Sequence, residues 1–484
     1  MAWRFCLNPF QENGNNGQYG MSADVKDERF FFVTLGCKVN QYESQALREA
    51  WSAQGLLAAR DVRDARVVCV STCAVTANAV ADARAAVRRI HRENPEARIL
   101  VTGCAAQAMP HEFCDLPGVA RVIPQKRKAL LLRYAEAVSP APCGQDNAAT
   151  EGNSGGAPPA YPPFAIVEYD RSRAVLKVQD GCSHRCTYCI VPLTRGASRS
   201  RPPEETLAEA ERLLNAGFRE LVLNGINLSQ YGRDFASPHD FWDLVAFLDK
   251  TLAPQWNGKA RIRLSSLEPG QLGPKALEVL GNCSLVAPHL HLSLQSGSRS
   301  VLRRMGRGHY DPQLLPGFCA DLSHIFPRFG LGADILAGFP GETVDDAAET
   351  EALCKALPFS YAHVFPYSRR PGTPAAEWPD QVDAQAKKER AARLRVILQR
   401  KSRTFLEACL ALPEVIVACE PDEHDKNAIS GGVNEFYGEC RFAEGHAPAA
   451  ARSRFLVTAK PVALGKGYLV VEELCPSNSL QGDC

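Results

Sequence analysis

Gly181-Cys182-Ser183-His184-Arg185-Cys186-Thr187-Tyr188-Cys189-Ile190-Val191-Pro192 carries three thiols in the spacing C-x3-C-x2-C. Cysteines gathered this tightly read as metal ligands rather than as chance core thiols. A structural zinc site would take four closed ligands, and no fourth cysteine stands nearby. On a cuboidal iron–sulfur cluster, three thiolates leave one iron without a protein ligand. Such an iron is open to a substrate or a cosubstrate.

Outward from this stretch, residues 164–382 alternate strand and helix patterns. Strands are predicted at 174–178, 221–224, 261–265, 289–294, 332–336 and 361–365. Helices fall between them. The clearest is 203–216, whose Glu204 and Glu205 suit a helix N-terminus. Six such units predict an open (β/α)6 barrel with its chemistry at the carboxyl ends of the strands. Those ends are polar or glycine-rich. The thiol stretch follows the first, and Asn224-Gly225-Ile226-Asn227 the second. The third ends in Ser265-Ser266-Leu267-Glu268 and the fourth in Gln295-Ser296-Gly297-Ser298. The fifth ends in Gly338-Phe339-Pro340-Gly341-Glu342, and Tyr367-Ser368-Arg369-Arg370 follows the sixth. Arg195, Arg199 and Arg201 fit either a solvated loop or a phosphate contact. His289 and His291 alternate on one strand and are left unassigned.

Upstream, apolar runs at 30–35, 65–70 and 97–102 lead into Gly36-Cys37, Ser71-Thr72-Cys73 and Gly103-Cys104, with helices predicted at 42–55 and 77–94. Strand alternating with helix implies a parallel sheet. Ligands gather outside the carboxyl ends of such strands. Cys37, Cys73 and Cys104 are therefore either separate core thiols, which are common, or a second three-thiol site at one edge. Cys69 lies inside a strand and is expected in the core. Cys114, in a loop, is open to either reading.

Residues 139–163 are rich in Pro, Ala, Gly, Ser and Asn and read as a linker, with Cys143 exposed. Residues 1–28 are polar and read as a disordered leader, in which Met21 is an alternative start and Cys6 has no assignment. Residues 383–410 read as one helix bearing Lys387, Lys388, Arg390, Arg393, Arg395, Arg400, Lys401 and Arg403. That bias fits solvated surface or a polyanion partner. Beyond it, β-like runs at 414–419, 435–442, 454–458 and 467–472 fit a small β-barrel. There Phe436 and Tyr437 are either core aromatics or stacking platforms for bases.

The whole is read as an α/β chain. It comprises an amino-terminal parallel-sheet domain (29–138), the open barrel (164–382), a basic helix (383–410), a β-barrel-like domain (411–475) and a tail (476–484). The net charge of +1 over 484 residues argues for neither nucleic acid nor membrane. No run approaches the ~20 apolar residues of a membrane span. The 18 cysteines follow no signal peptide, so a reducing cytoplasm is expected.

Thr34-Leu35-Gly36-Cys37-Lys38-Val39-Asn40-Gln41-Tyr42-Glu43-Ser44, Ser71-Thr72-Cys73-Ala74-Val75-Thr76 and Thr102-Gly103-Cys104 resemble the amino-terminal domain of the methylthiotransferases. The thiol stretch, with Arg195-Gly196 and Arg199-Ser200-Arg201, resembles the radical S-adenosylmethionine motif of the same enzymes. So does Asp334-Ile335-Leu336-Ala337-Gly338-Phe339-Pro340-Gly341-Glu342. The resemblance runs from about residue 30 to about residue 410. Within the family, Gly-Cys-Lys-Val-Asn-Gln-Tyr-Glu-Ser resembles the branch acting on N6-threonylcarbamoyladenosine in tRNA.

The resemblance implies a radical [4Fe-4S] cluster on Cys182, Cys186 and Cys189, an auxiliary [4Fe-4S] cluster on Cys37, Cys73 and Cys104, and S-adenosylmethionine. Asn224, Ser266, Glu268, Gln295, Ser296 and Asp334 become candidates for the cosubstrate rim. No Glu stands in Asn224-Gly225-Ile226, where many such enzymes carry one near the cosubstrate amine. The resemblance further implies a tRNA substrate, a flavodoxin- or ferredoxin-type electron donor and a C-terminal TRAM-like barrel, divergent here, whose Cys419, Cys440, Cys475 and Cys484 are not family features. The alternatives are a methylthiotransferase for another tRNA adenosine or a ribosomal protein, and a non-catalytic RNA-binding zinc protein.

Overall fold

The computed structural model describes residues 28–139, 161–169, 172–237, 239–422, 428–449 and 454–474. Cys6, Met21, Cys143, Cys475 and Cys484, with nearly all of the leader, most of the linker and the whole tail, lie outside the described residues.

The amino-terminal domain is a parallel sheet of β1 (Arg29–Thr34), β2 (Leu57–Ala58), β3 (Val67–Thr72), β4 (Arg98–Gly103) and β5 (Val119–Pro124), in the order β2-β1-β3-β4-β5. All six residues of β3 are buried. A strand covered on both faces needs an unbroken apolar run rather than alternation. Helices α1 (Lys38–Ala53), α2 (Ala77–Glu93), α3 (Cys104–Ala108), α4 (His111–Cys114) and α5 (Tyr134–Val138) complete the domain. α1 begins at Lys38 rather than at the predicted Tyr42. Thr76 caps α2, its hydroxyl accepting from Ala79 N at 3.1 Å. Trp51 of α1 is fully buried against Phe30, Phe32 and Tyr134, and its indole N–H donates to Leu131 O. β5 escapes sequence reading because Arg121 interrupts its apolar run and Pro124 ends it.

The central domain contains β6 (Arg173–Lys177), an antiparallel pair β7 (Gln179–Asp180) and β8 (Arg199–Ser200), then β9 (Glu220–Asn224), β10 (Arg261–Leu264), β11 (Ser266–Leu267), β12 (His289–Gln295), β13 (Gly330–Ala337) and β14 (His363–Pro366). Between them lie α6 (Val191–Arg195), α7 (Pro203–Asn215), α8 (Phe241–Trp256), α9 (Pro274–Asn282), α10 (Arg299–Arg304), α11 (Leu315–Ile325) and α12 (Val344–Ala356). Two parallel ladders, β10-β9-β6 and β11-β12-β13-β14, share a third strand that breaks at Ser265. Among the described residues no ladder joins β6 to β14. This is the open barrel expected from the six units. One apolar core runs from Phe30 and Trp51 through Leu223 and Leu292 to Leu394.

The C-terminal part is α13 (Ala384–Leu410) and a closed barrel of β15 (Val415–Pro421), β16 (Ile429–Asn434), β17 (Glu439–Phe442), β18 (Leu456–Leu464) and β19 (Leu469–Glu473). Cys419 and Cys440 lie in its core. Several cations of α13 are engaged within the chain: Arg390 with Glu342, Arg393 with Glu351, Arg403 with Glu407, and Arg395 with Val364 O.

The C-terminal barrel plugs the amino end of the central one. Arg261 and Arg263 share Glu220, and their remaining N–H groups donate to Ile416 O, Val433 O, Asn434 O and Glu435 O. Gly330 lets this turn approach, since a Cβ there would lie 1.9 Å from Phe436 O. Phe436 is buried, and the Tyr437 ring stacks on His289 at 4.8 Å. Of the two readings, core aromatics or base-stacking platforms, the first holds: these aromatics close a domain junction. His289 and His291 both meet the Tyr361 hydroxyl at 2.9 Å and are structural.

Burial, reinforced by the Arg263 cation, holds His289 well below the ordinary histidine range. A folded pKa below the unfolded one means that this group's contribution is fully present above about pH 6.5. It is lost as pH falls further, by up to about 1.4 kcal/mol per pH unit, until the folded pKa is reached. His289→Gln should flatten that slope. Urea midpoints falling equally steeply in both proteins between about pH 7 and about pH 5 would refute it.

Candidate functional site

Two glycines assemble the first trio. After β1, Gly36 adopts φ +98°, and a Cβ there would lie 2.6 Å from Cys73 Cβ. After β4, Gly103 adopts φ +101°, and a Cβ would lie 2.4 Å from Thr72 O. Only glycine accepts both the left-handed backbone and the approach. Cys37, at the start of α1, and Cys104, opening α3, are thereby turned towards Cys73. Burial, with repulsion from the other two thiols, pushes Cys73 up to about 11. Burial also raises Cys104. The three thiols thus gather at one edge of the sheet. Cys69 is core, as expected.

The second trio lies at the carboxyl end of β6. Its loop is fixed by Cys182 N donating to Gly196 O (2.9 Å), Ser183 N to Gln230 Oε1 (2.8 Å), Thr187 N to Met305 O (3.0 Å) and Cys189 N to Cys186 O (3.0 Å). Asn227 Nδ2 reaches Cys182 Sγ at 3.6 Å. Burial raises all three thiols, Cys189 to about 12.

The trios are neighbours through one short segment. Ile190, next after Cys189, is buried in the amino-terminal core. α6 then packs on α3, with Thr194 of α6, whose hydroxyl donates to Val191 O at 3.1 Å, beside Cys104. Beneath α6 lies a charge network shared by both domains. Glu43 accepts from Lys128 Nζ (2.9 Å), Lys177 Nζ (2.8 Å) and Arg195 Nη1 (2.8 Å). Asp180 accepts from Lys177 Nζ (2.7 Å) and Arg195 Nη1 (2.9 Å). Every one of these side chains is at most 3% exposed. Burial alone would raise Glu43, but Arg195, Lys128 and Lys177 outweigh it and hold the carboxyl well below its usual range. Three cations face two carboxylates, so the network keeps one net positive charge. Arg195 turns that charge towards Cys104 and Cys73.

The expectation that Arg195 and Arg201 sit in a solvated loop or contact phosphate is therefore corrected. Arg195 belongs to this network, and Arg201 is buried on Glu209. Arg199 pairs with Asp180 in the β7–β8 ladder.

The pattern described as "Uncharacterized protein family UPF0004" matches residues 29–123, and that of the "Radical SAM superfamily" matches residues 176–354. A threonylcarbamoyladenosine tRNA methylthiotransferase of Bacillus subtilis is 37% identical over 376 residues, covering 77% of this chain and 81% of the relative. The chain belongs to the radical S-adenosylmethionine methylthiotransferase family. An Aquifex aeolicus protein with the same name is 33% identical, covering 78% of this chain and 89% of the relative. A tRNA-2-methylthio-N(6)-dimethylallyladenosine synthase of Clostridium botulinum is 30% identical, covering 83% and 88%. Among solved structures, the radical S-adenosylmethionine methyltransferase TsrM of Kitasatospora setae superposes with a TM-score of 0.54 at 15% identity, covering 72% of this chain and 74% of that one, a likeness of fold.

Methylthiotransferases of this family use two [4Fe-4S] clusters and S-adenosylmethionine. The donor set fits. Tetrahedral zinc with ~2.3 Å bonds would draw its sulfurs to about 4 Å from one another. Among the described residues, the ligand-type trio drawn within 4.8 Å is instead His184, Glu268 and His309, where Arg307 already pairs with Glu268 at 2.6 Å. Neither thiol trio is drawn within that distance among the described residues. Asn224 Nδ2, Gln230 Nε2 and Ser265 Oγ are buried without hydrogen-bond partners. Such groups suit a bound cosubstrate.

Of the expected cosubstrate rim, Asn224 ends β9 and Ser266 opens β11. Gln295 ends β12 with φ 61°, a strained backbone of the kind held at functional sites. Glu268 is tied to Arg307 and His309. The other two candidates meet groups of the chain itself. Ser296 is buried, bonding Ser298 N and Thr350 of α12. Asp334 sits mid-strand on β13, with a carboxylate oxygen 3.2 Å from His291.

Lys128, Lys177, Asp180, Arg307 and His309 escaped sequence reading as site residues of this methylthiotransferase. Lysine inside the apolar strand run Ala174-Val175-Leu176-Lys177 was the available signal. A cation there requires a buried anion.

Proposed function

We propose that this methylthiotransferase inserts a methylthio group at C2 of N6-threonylcarbamoyladenosine beside the anticodon of tRNA. The observation that carries this reading is the pair of thiol trios set side by side by α6 and α3. It is joined by similarity to relatives named for this nucleoside. Cys182, Cys186 and Cys189 would hold the radical cluster, and Cys37, Cys73 and Cys104 the auxiliary one. When bound, these cofactors supply cleavage of S-adenosylmethionine, hydrogen abstraction at C2, and the sulfur and methyl group.

The chain does the rest. The Glu43 network locks the two domains, and so the two trios, in one arrangement. Asn227 gives a hydrogen bond to Cys182, favouring the thiolate that ligation needs. Asn224, Gln230 and Ser265 offer unpaired polar atoms to the cosubstrate. Burial of Cys182 and Cys186 helps to exclude water from a reactive radical. A flavodoxin- or ferredoxin-type donor supplies electrons, and the setting is the cytoplasm. No helix among the described residues is long and apolar enough to cross a membrane.

Nucleosides from tRNA of a deletion strain test this by mass spectrometry. The 2-methylthio form should vanish, N6-threonylcarbamoyladenosine should accumulate, and a plasmid copy should restore the product. An unchanged nucleoside profile would sink the reading. Loss of a methylthiolated isopentenyladenosine instead would move the chain to that branch.

A further inference from the structure

Strand alternation leaves a polar lumen in the central barrel. Leu290, Leu292 and Leu294 of β12 join the apolar core, as do Leu331, Ala333 and Ile335 of β13 and Val364 of β14. Successive strand residues face opposite sides, so His291, Asp334, His363 and Phe365 turn inward. Gly332 admits the Tyr361 ring, since a Cβ there would lie 2.2 Å from Tyr361 Cζ. The centroids of the Tyr361 and Tyr437 rings stand 5.3 Å apart, and the two rings floor the lumen. His363 and Phe365 stay exposed, Phe365 by 45%, and the Asp334 side chain is 29% exposed. The space between them is open to a ligand rather than packed.

Helix α1 lies along β6, on the side where no ladder among the described residues joins β6 to β14. Its first residue, Lys38, reaches in through that gap, and its ammonium stands 5.7 Å from the centre of the Tyr437 ring. Asn40 Nδ2 holds the loop before it, donating to Leu35 O (2.8 Å) and Thr72 O (3.0 Å). Other cations near the floor and β6 are neutralised by acids of the chain: Arg173 by Glu420, Arg263 by Glu220, and Lys177 by Glu43 and Asp180. Lys38 has only an aromatic face. Among the described residues, no carboxylate or hydrogen-bond acceptor pairs with its ammonium.

We propose that Lys38 recognises the N6 substituent of the target adenosine by pairing with the carboxylate of its threonylcarbamoyl group. This rests on the reaction at C2 of N6-threonylcarbamoyladenosine proposed above. C2 and C6 of adenine flank the same ring nitrogen. A base that presents C2 to the Cys37 trio therefore brings its N6 substituent towards the residue next to Cys37. The threonyl carboxylate is ionised at neutral pH, and it needs a cation when it leaves water. Lysine supplies that charge on a flexible stem. A site built around a polar partner strongly rejects analogues that lack it. Lys38 thereby favours this nucleoside over adenosines whose N6 group is neutral.

The test uses the full chain, reconstituted anaerobically, and two anticodon stem-loops. One carries N6-threonylcarbamoyladenosine and the other its neutral carboxamide. Dissociation constants from fluorescence anisotropy and kcat/KM for methylthiolation are measured on both. The parent should favour the carboxylate by at least tenfold, about 1.4 kcal/mol. In Lys38→Gln that preference should vanish, and in Lys38→Arg, which keeps the charge, part of it should return. A parent that treats the two stem-loops alike would overturn the proposal, as would a Lys38→Gln protein that keeps the parent's preference. Equal weakening of both stem-loops in Lys38→Gln would overturn it too, by making Lys38 a contact to backbone phosphate. So would loss of iron in both Lys38 variants, which would make the residue a determinant of cluster retention. A parent with full iron that methylthiolates neither stem-loop would bring down the reading of the nucleoside, and this proposal with it.

Discussion

Replacing Cys182, Cys186 and Cys189 with Ala is expected to abolish anaerobic cleavage of S-adenosylmethionine. Iron should fall from about eight atoms per chain to about four. The loss should be complete because the cosubstrate needs an open iron, and only this trio stands at the carboxyl mouth of β6. The matching change at Cys37, Cys73 and Cys104 should also halve the iron. It should spare cleavage while stopping methylthiolation of tRNA. Counting deoxyadenosine and modified nucleoside side by side separates the two outcomes. Undiminished cleavage in the first variant would refute the assignment of the radical site, and methylthiolation by the second would refute that of the auxiliary site.

Glu43→Gln should be strongly destabilising. Glu43 is fully buried and neutralises Lys128, Lys177 and Arg195 at 2.8–2.9 Å. Removing one partner of a buried ionic cluster costs about 3–5 kcal/mol, because the remaining charges stay buried and unpaired. Here three cations would be left to Asp180 alone. The domains are joined at this point, so the damage should appear as early separation of the amino-terminal domain in guanidinium unfolding. Within the same network the pH dependence has a definite sign. The folded carboxyl titrates well below its usual range. Its contribution is therefore present above about pH 4.3 and is lost as pH falls towards the depressed folded value. A Glu43→Gln midpoint within about 1 kcal/mol of the parent would show that the network contributes little.

The cysteines were legible because each was tied to a local pattern. Three lie within one loop. The other three each follow a strand whose apolar run and terminal turn are visible in the chain. The alternation of strand and helix gave the parallel sheet and the open barrel for the same reason. Element ends were less legible. α1 starts at Lys38 behind Cys37, which makes no side-chain cap hydrogen bond, and no Ser, Thr, Asp or Asn marks that place.

Charge was where local reading failed. A row of arginines close after the thiols carries no mark of burial, and the acids that bury them are distant. Arg195 meets Glu43 across 152 residues, and Lys177 meets it across 134. Arg263 reaches Asn434 across 171 residues, which is how Tyr437 came to close a barrel rather than face RNA.

The sequence by itself determined most of the elements, the thiol loop and the kinship, since spacing and periodicity are properties of neighbours along a chain. Only the tertiary structure decided which cations are neutralised and which aromatics are enclosed. Those depend on the local dielectric and on what lies opposite, and both are set by segments that meet only once the chain has folded.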